Sequence, residues 1–189
     1  MAGVRAMITE KRVGDCMKIY RVEKEKKRYL LLLLMADEQE NMIDQYLERG
    51  EMYVMEEAGP CAVCVVTDEG DGVLEIKNLA VAPAFQRKGL GKAMIDFVAE
   101  KYRDRYRILQ VGTGDSPSTI PFYEACGFVR SHIVPDFFTN YYDHPIYDGG
   151  VLLRDMVYLQ RNIEQETENK QGELITEGET LLDFHGKFI

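Results

Sequence analysis

Gln86-Arg87-Lys88-Gly89-Leu90-Gly91-Lys92 brings three cations and two glycines into one short segment, a combination that points to an anionic ligand. Glycine lets the backbone turn tightly and approach a ligand with no side chain in the way. An apolar helical period starts at Leu90, so the segment opens a helix, whose free N–H groups and dipole attract negative charge. The chemistry is that of a phosphate- or pyrophosphate-binding turn. A Walker A loop is excluded, because it would need glycine at Gln86 and a hydroxyl at Ala93. A dinucleotide fingerprint is excluded too, since Met94 stands where its third glycine would fall.

Other chemistry-bearing residues are weaker. Cys61 and Cys64 form a C-x-x-C, but no second pair follows, and a strand through Cys61–Thr67 points positions three apart to opposite faces. Both read as small core residues, and no metal is expected. His132 and His144 are candidate bases whose ordinary reading is structural. Residues 135–150 place Asp136, Asp143 and Asp148 among Phe137, Phe138, Tyr141, Tyr142 and Tyr147. Carboxylates attract an ammonium and aromatic faces hold it, so Asp136 and Tyr142 are taken as candidate substrate-binding residues.

The elements that must position these groups follow from periodicity. Met17–Glu23 alternates as a strand, and the leucine run Tyr29–Met35 reads as a buried helix, with a strand as the alternative that periodicity leaves open. Asp37 with Glu40 three residues on resembles a capping box for a helix whose stripe is Met42, Ile43, Tyr46 and Leu47. Glu51–Glu57, Cys61–Thr67 and Leu74–Val81 form a meander. Leu90, Met94, Phe97, Val98 and Tyr102 share a helix face. Ile108–Val111 is a short strand, Ser118–Cys126 a short helix, and Phe128–Val134 and Val151–Gln160 the last strands. The expected fold class is mixed α/β, one domain over 1–160 with its sheet between helices. Residues 161–189 carry seven acidic and three basic residues, a net of −4, and read as a peripheral tail with Leu181–Phe184 docking back.

The chain has 189 residues, a net charge of −9 and a sequence pI near 4.9. That size suits one domain with a substantial core. An acidic surface repels phosphate backbones, so no nucleic-acid partner is expected, and a cationic substrate would be drawn in. The longest apolar stretch, Tyr29–Ala36, is eight residues, against the roughly 17–25 needed to span a membrane. No membrane partner is expected. Met1–Glu10 lacks an export signal, so the cytoplasm is the expected compartment.

Leu74-Glu75-Ile76-Lys77-Asn78-Leu79-Ala80-Val81-Ala82-Pro83 followed by Gln86–Lys92 resembles the fourth strand and the Gln/Arg-x-x-Gly-x-Gly/Ala pyrophosphate loop of the GNAT superfamily of N-acetyltransferases. Phe122-Tyr123-Glu124-Ala125-Cys126-Gly127-Phe128 is similar to its second signature, and the order of elements fits from about residue 16 to 160. The resemblance implies a GNAT-type fold, a central, mostly antiparallel, V-splayed sheet flanked by helices. It implies acetyl-coenzyme A as cofactor, with backbone of Leu79, Ala80 and Val81 along the pantetheine arm. Gln86, Arg87, Lys88, Gly89, Leu90, Gly91 and Lys92 would hold the pyrophosphate.

The same resemblance implies that Tyr123 protonates the departing thiolate and that Glu75 deprotonates the amine, often through water. Where many members have a coenzyme-contacting asparagine, seven residues before the tyrosine, this chain has Ser116. The implied reaction is direct transfer of acetyl to a primary amine of a small, cationic molecule or peptide. Dimers are common in similar proteins, so a homodimer is an expectation to test. Two other classes stay open: a coenzyme A-binding sensor without turnover, and an acidic interaction protein that uses its tail.

Overall fold

The computed structural model describes residues 12–13, 17–164, 167–168 and 174–175, with side chains over 17–164. Leu181–Phe184 and the N-terminal segment Met1–Glu10 lie outside the described residues. The first half comprises β1 (Arg12–Val13), β2 (Met17–Val22), a 3-10 turn at Lys26–Tyr29, α1 (Leu30–Leu33), α2 (Glu40–Leu47), β3 (Glu51–Glu56), β4 (Pro60–Gly70) and β5 (Val73–Val81). Then come α3 (Leu90–Tyr102), β6 (Ile108–Gly114), α4 (Thr119–Ala125), β7 (Val129–Val134) and α5 (Phe137–Tyr141). The short strands β8 (Tyr147–Asp148) and β9 (Val151–Leu152), then β10 (Met156–Asn162), β11 (Thr167–Glu168) and β12 (Leu174–Ile175), complete the described elements.

One sheet of eight strands carries the order β1-β2-β3-β4-β5-β6-β10-β7. Every pair in it is antiparallel except β5 with β6, which are joined through α3 and run parallel. A parallel pair needs such a crossover, and α3 supplies it. The fold is therefore mixed α/β with a mostly antiparallel sheet between helices. No described helix is long and apolar enough to cross a membrane.

The two sheet faces are buried by different helices. Met94, Ile95 and Val98 of α3, with Ile120 and Tyr123 of α4, pack on Cys64, Val66, Leu74 and Ile76. Leu33 of α1 and Ile43, Tyr46 and Leu47 of α2 pack on Val54, Val63, Val65 and Ala80. A third, small cluster joins Phe138 of α5 to Ile146, Leu153 and Met156. Cys61 and Cys64 are both fully buried on β4. Lys26 is buried as well, and its ammonium donates to the carbonyls of Leu47 at 2.7 Å, Glu48 at 3.1 Å and Gly50 at 2.8 Å. It so closes the C-terminal end of α2, where carbonyls lack helical partners.

Three expectations from sequence are corrected. The leucine run forms a single turn of α-helix rather than a buried one: Leu33 is fully buried, whereas Leu31 is 86% exposed. A turn of four residues points its side chains all round, and only part of it can face a core. Asp37 does not cap a helix; α2 begins at Glu40 with Gln39 at its N-cap. Val151–Gln160 is broken, because Val151 and Leu152 turn back to pair with Asp148 and Tyr147, and the sheet strand starts only at Met156.

Candidate active site

The ladder between β5 and β6 runs only from Val73↔Ile108 to Ile76↔Val111. Beyond it β5 continues to Val81 alongside β4, and β6 continues to Gly114 alongside β10. The two strands therefore part. A bulge sits at the parting point: Val65 faces Asn78 and Val66 faces Ile76, which leaves Lys77 as the extra residue. Bulges bend the strand that carries them, and here the bend takes β5 away from β6. A cleft of about 510 Å³ opens in the gap, with Glu75, Leu79, Val81, Val111 and Tyr123 among the residues lining it. Over Leu79, Ala80 and Val81 the edge of β5 turned from β4 meets no strand, so its backbone groups are available to a ligand that lies along it.

Gln86 lies at the end of this cleft, and its side-chain amide donates to the Val81 carbonyl at 3.0 Å, tying the turn to the strand. Arg87 and Gly89 both have positive φ, 59° and 82°. Left-handed residues alternating with ordinary ones gather successive N–H groups into an anion-binding concavity. A Cβ built on Gly89 would meet nothing within 4 Å, so glycine is needed there for its φ and for an open approach. The first turn of α3 carries no acidic residue. Lys88 stands 5.3 Å from the Phe85 ring and Lys92 pairs with Asp96 at 2.9 Å. Gly91 serves packing: a Cβ there would come within 3.0 Å of the Phe122 ring, so it allows α3 and α4 to approach behind Leu90, which is buried.

Tyr123 is 8% exposed, and its ring meets Phe122 and Phe128 edge-on, with centroids at 5.0 and 5.6 Å. Burial, helped by the neighbouring Cys64 and Cys126 thiols, pushes its hydroxyl well above the usual phenol range. The hydroxyl bonds to no described residue, so it stands protonated and unengaged beside the cleft. Glu75 is also buried. Its carboxylate takes Lys77 Nζ at 2.8 Å on one oxygen and the Gln110 amide at 3.1 Å on the other. The two donors fix the orientation of the carboxylate, and a carboxylate so placed in the cleft is a candidate proton acceptor.

The remaining candidates fall differently. Tyr142 lines the cleft and donates to Asp37 at 3.0 Å. Asp136 does not line it; Asp136 stands at the N-cap of α5, and its carboxylate takes the Arg154 guanidinium while its N–H donates to Asp155 at 2.8 Å. Ser116 is 3% exposed, and its hydroxyl is committed to the fold, donating to Asp148 and accepting the N–H groups of Ser118 at 3.2 Å and Thr119 at 3.3 Å. Sequence reasoning missed Asp37, Asn78, Thr119 and Tyr158 as cleft residues. Asp37 was visible only as a helix-cap pattern. Asn78 and Tyr158 lie in alternating strands, where the split between β5 and β6 leaves no local mark.

Comparison with known proteins shows the family and the fold. The family model for the acetyltransferase (GNAT) domain matches residues 48–130. The N-acetyltransferase YvbK of Bacillus subtilis (strain 168), itself uncharacterized, is 37% identical over 131 residues, covering 68% of this chain and 84% of that one. A GNAT family acetyltransferase from Elizabethkingia anophelis, solved with acetyl-CoA bound, superposes with a TM-score of 0.74 at 32% identity over 78% of this chain and 99% of that one. An IAA acetyltransferase from Bacillus cereus ATCC 14579 gives 0.73 at 35% identity, over 77% and 99%. A Bacillus subtilis acetyltransferase in complex with CoA gives 0.70 at 33% identity, over 77% and 98%. The site described above fits such a ligand: an unpaired strand edge for an amide-bearing arm, and an open turn of N–H groups and cations for a pyrophosphate.

Proposed function

This chain belongs to the GNAT superfamily of acetyl-coenzyme A-dependent N-acetyltransferases, and from that premise we propose that it acetylates the primary amine of a small cationic molecule or peptide. The parting of β5 from β6 after Ile76 and Val111 carries the reading, because it opens one continuous cleft between Tyr123 and Glu75. Acetyl-coenzyme A supplies an acetyl group activated as a thioester. Leu79, Ala80 and Val81 would hold its arm through their backbone, and Gln86–Lys92 its pyrophosphate.

Two proton movements fall to this chain's own side chains. An ammonium is not nucleophilic, and Glu75, steadied by Lys77 and Gln110, takes its proton directly or through water. The leaving sulfur needs a proton, and Tyr123, kept neutral by burial, gives one from its hydroxyl. The chain's excess of acidic residues favours a cationic acceptor.

The test is thiol release from acetyl-coenzyme A with a panel of primary amines, together with mass detection of the acetylated product. Amine-dependent release with matching product supports the proposal. Tight coenzyme binding with no product from any amine would make the chain a coenzyme sensor instead.

A further inference from the structure

The bulge at Lys77 changes the face to which β5 presents its side chains. Leu74 and Ile76 belong to the core beneath α3, whereas Ala80 belongs to the core beneath α1 and α2, and Asn78 bonds to groups on that same side. The half of the cleft facing α1 and α2 therefore lies across the sheet from α3, α4 and the pyrophosphate turn.

Asp37 enters that half from the turn between α1 and α2. Its oxygens accept Tyr142 Oη at 3.0 Å and Tyr46 Oη at 3.3 Å. No lysine, arginine or histidine among the described residues lies within ion-pair distance of it. Glu75, by contrast, is paired with Lys77 at 2.8 Å, and Lys77 reaches Asp37 only as a more distant charge. Burial raises the Asp37 carboxyl above the usual carboxylate range, against the hydrogen bonds from Tyr142, the Gln39 backbone and Tyr46. A partly buried carboxylate without a cation is costly, and a ligand cation offsets that cost.

A second observation is independent of charge. Asn78 is 2% exposed; its amide nitrogen donates to the Leu33 carbonyl at 2.9 Å and to Tyr46 Oη at 3.0 Å, and its Oδ1 has no partner among the described residues. A buried acceptor left unmatched calls for an explanation, and Asn78 lines the cleft beside Asp37. Tyr46 Oη joins the two residues, accepting from Asn78 and donating to Asp37. Met35, Met42, Phe137, Phe138, Ile146 and Leu153 supply apolar walls around them.

Resting on the acetyltransferase reading above, we propose that Asp37, held by Tyr46 and Tyr142, recognises the ammonium of the acceptor as it enters, and that this acceptor is a primary monoamine on an apolar alkyl or aryl body. The carboxylate takes the charge, the aromatic rings favour a cation, and the methionines and leucine accept the body.

Asp37→Asn keeps size and removes charge. Coenzyme A-loaded wild type and variant are titrated calorimetrically with phenethylamine, hexylamine and spermidine, with phenethyl alcohol as the neutral control. Transfer to the same amines gives KM and kcat. Wild type should prefer both monoamines to the alcohol and to spermidine. Asp37→Asn should raise the monoamine KM by about tenfold or more and change kcat by less than about threefold, with acetyl-coenzyme A affinity unchanged. Unaltered amine affinity in a variant that still binds acetyl-coenzyme A overturns the subsite and leaves the transferase reading intact. Amine binding lost on Asp37→Asn, but with no transfer by wild type, supports the subsite and overturns the transferase reading. Should Asp37→Asn fail to bind acetyl-coenzyme A, the wild-type comparison decides, together with Tyr142→Phe, which removes one donor from Asp37 and should raise the monoamine KM. A wild type that binds spermidine best, or no amine at all, overturns the proposal.

Discussion

Replacing Tyr123 by phenylalanine removes one hydroxyl and keeps the ring between Phe122 and Phe128, at 5.0 and 5.6 Å. The hydroxyl bonds to no described residue, so its loss strands no partner, and the cost to stability should be about 1 kcal/mol or less. A positioned general acid contributes about a hundredfold to ten-thousandfold, so kcat should fall by that range, a barrier increase of about 3–5 kcal/mol. Three measurements on one preparation separate these effects: thermal unfolding, calorimetric affinity for acetyl-coenzyme A, and turnover with the best amine. The expected pattern is near-normal unfolding, near-normal affinity and collapsed kcat. A kcat within about threefold of wild type, or a loss explained by weaker cofactor binding, would refute the role of Tyr123 as the proton donor.

Glu75→Gln keeps the contact with Gln110 and loses the ion pair with Lys77. Its kcat/KM at neutral pH should drop by about a hundredfold and recover in part at high pH, where the amine arrives already deprotonated; a flat deficit across pH would point to another base. Lys26→Met leaves three carbonyls at the end of α2 without their charged donor. After the relief of desolvating that ammonium it should cost about 2–3 kcal/mol in urea unfolding, and no loss would contradict the capping role. Burial raises the phenols of Tyr46, Tyr53, Tyr102, Tyr123 and Tyr142 above their ordinary value. The unfolded chain releases those protons near pH 10 while the folded one retains them, so stability should be intact below that pH and fall above it. Tyrosinate absorbance from these residues should appear together with unfolding, not before it.

The glycine turn at Gln86–Lys92 was legible because its requirements are local. Gly89 must adopt positive φ, and a helix must start at Leu90, and both demands are written in adjacent residues. The strand Leu74–Val81 and the face of α3 were legible for the same reason. The acceptor half depends on long-range meetings. Asp37 touches Tyr142, which is 105 residues away, whereas its local pattern with Glu40 imitates a helix cap. Asp136 looked like a substrate carboxylate by composition, but Arg154, 18 residues on, takes it instead. Ser116 stands where a ligand-contacting residue was expected, and Asp148 draws its hydroxyl into the fold. The bulge at Lys77 and the parting of β5 from β6 belong to pairings between strands, which alternation within one strand does not record.

Calorimetric titration with acetyl-coenzyme A, beside a Gly89→Glu variant, tests the central claim most directly. Gly89 has a φ of 82° and open space around its absent Cβ. The substitution should therefore strain the backbone by about 1 kcal/mol, lowering the unfolding temperature by about 2–4 °C, while placing a carboxylate where we propose the pyrophosphate is held. Wild type should bind in the micromolar range, about −8 kcal/mol, and the folded variant should show no binding. A folded wild type that ignores acetyl-coenzyme A, or a variant that binds it equally well, would contradict the account.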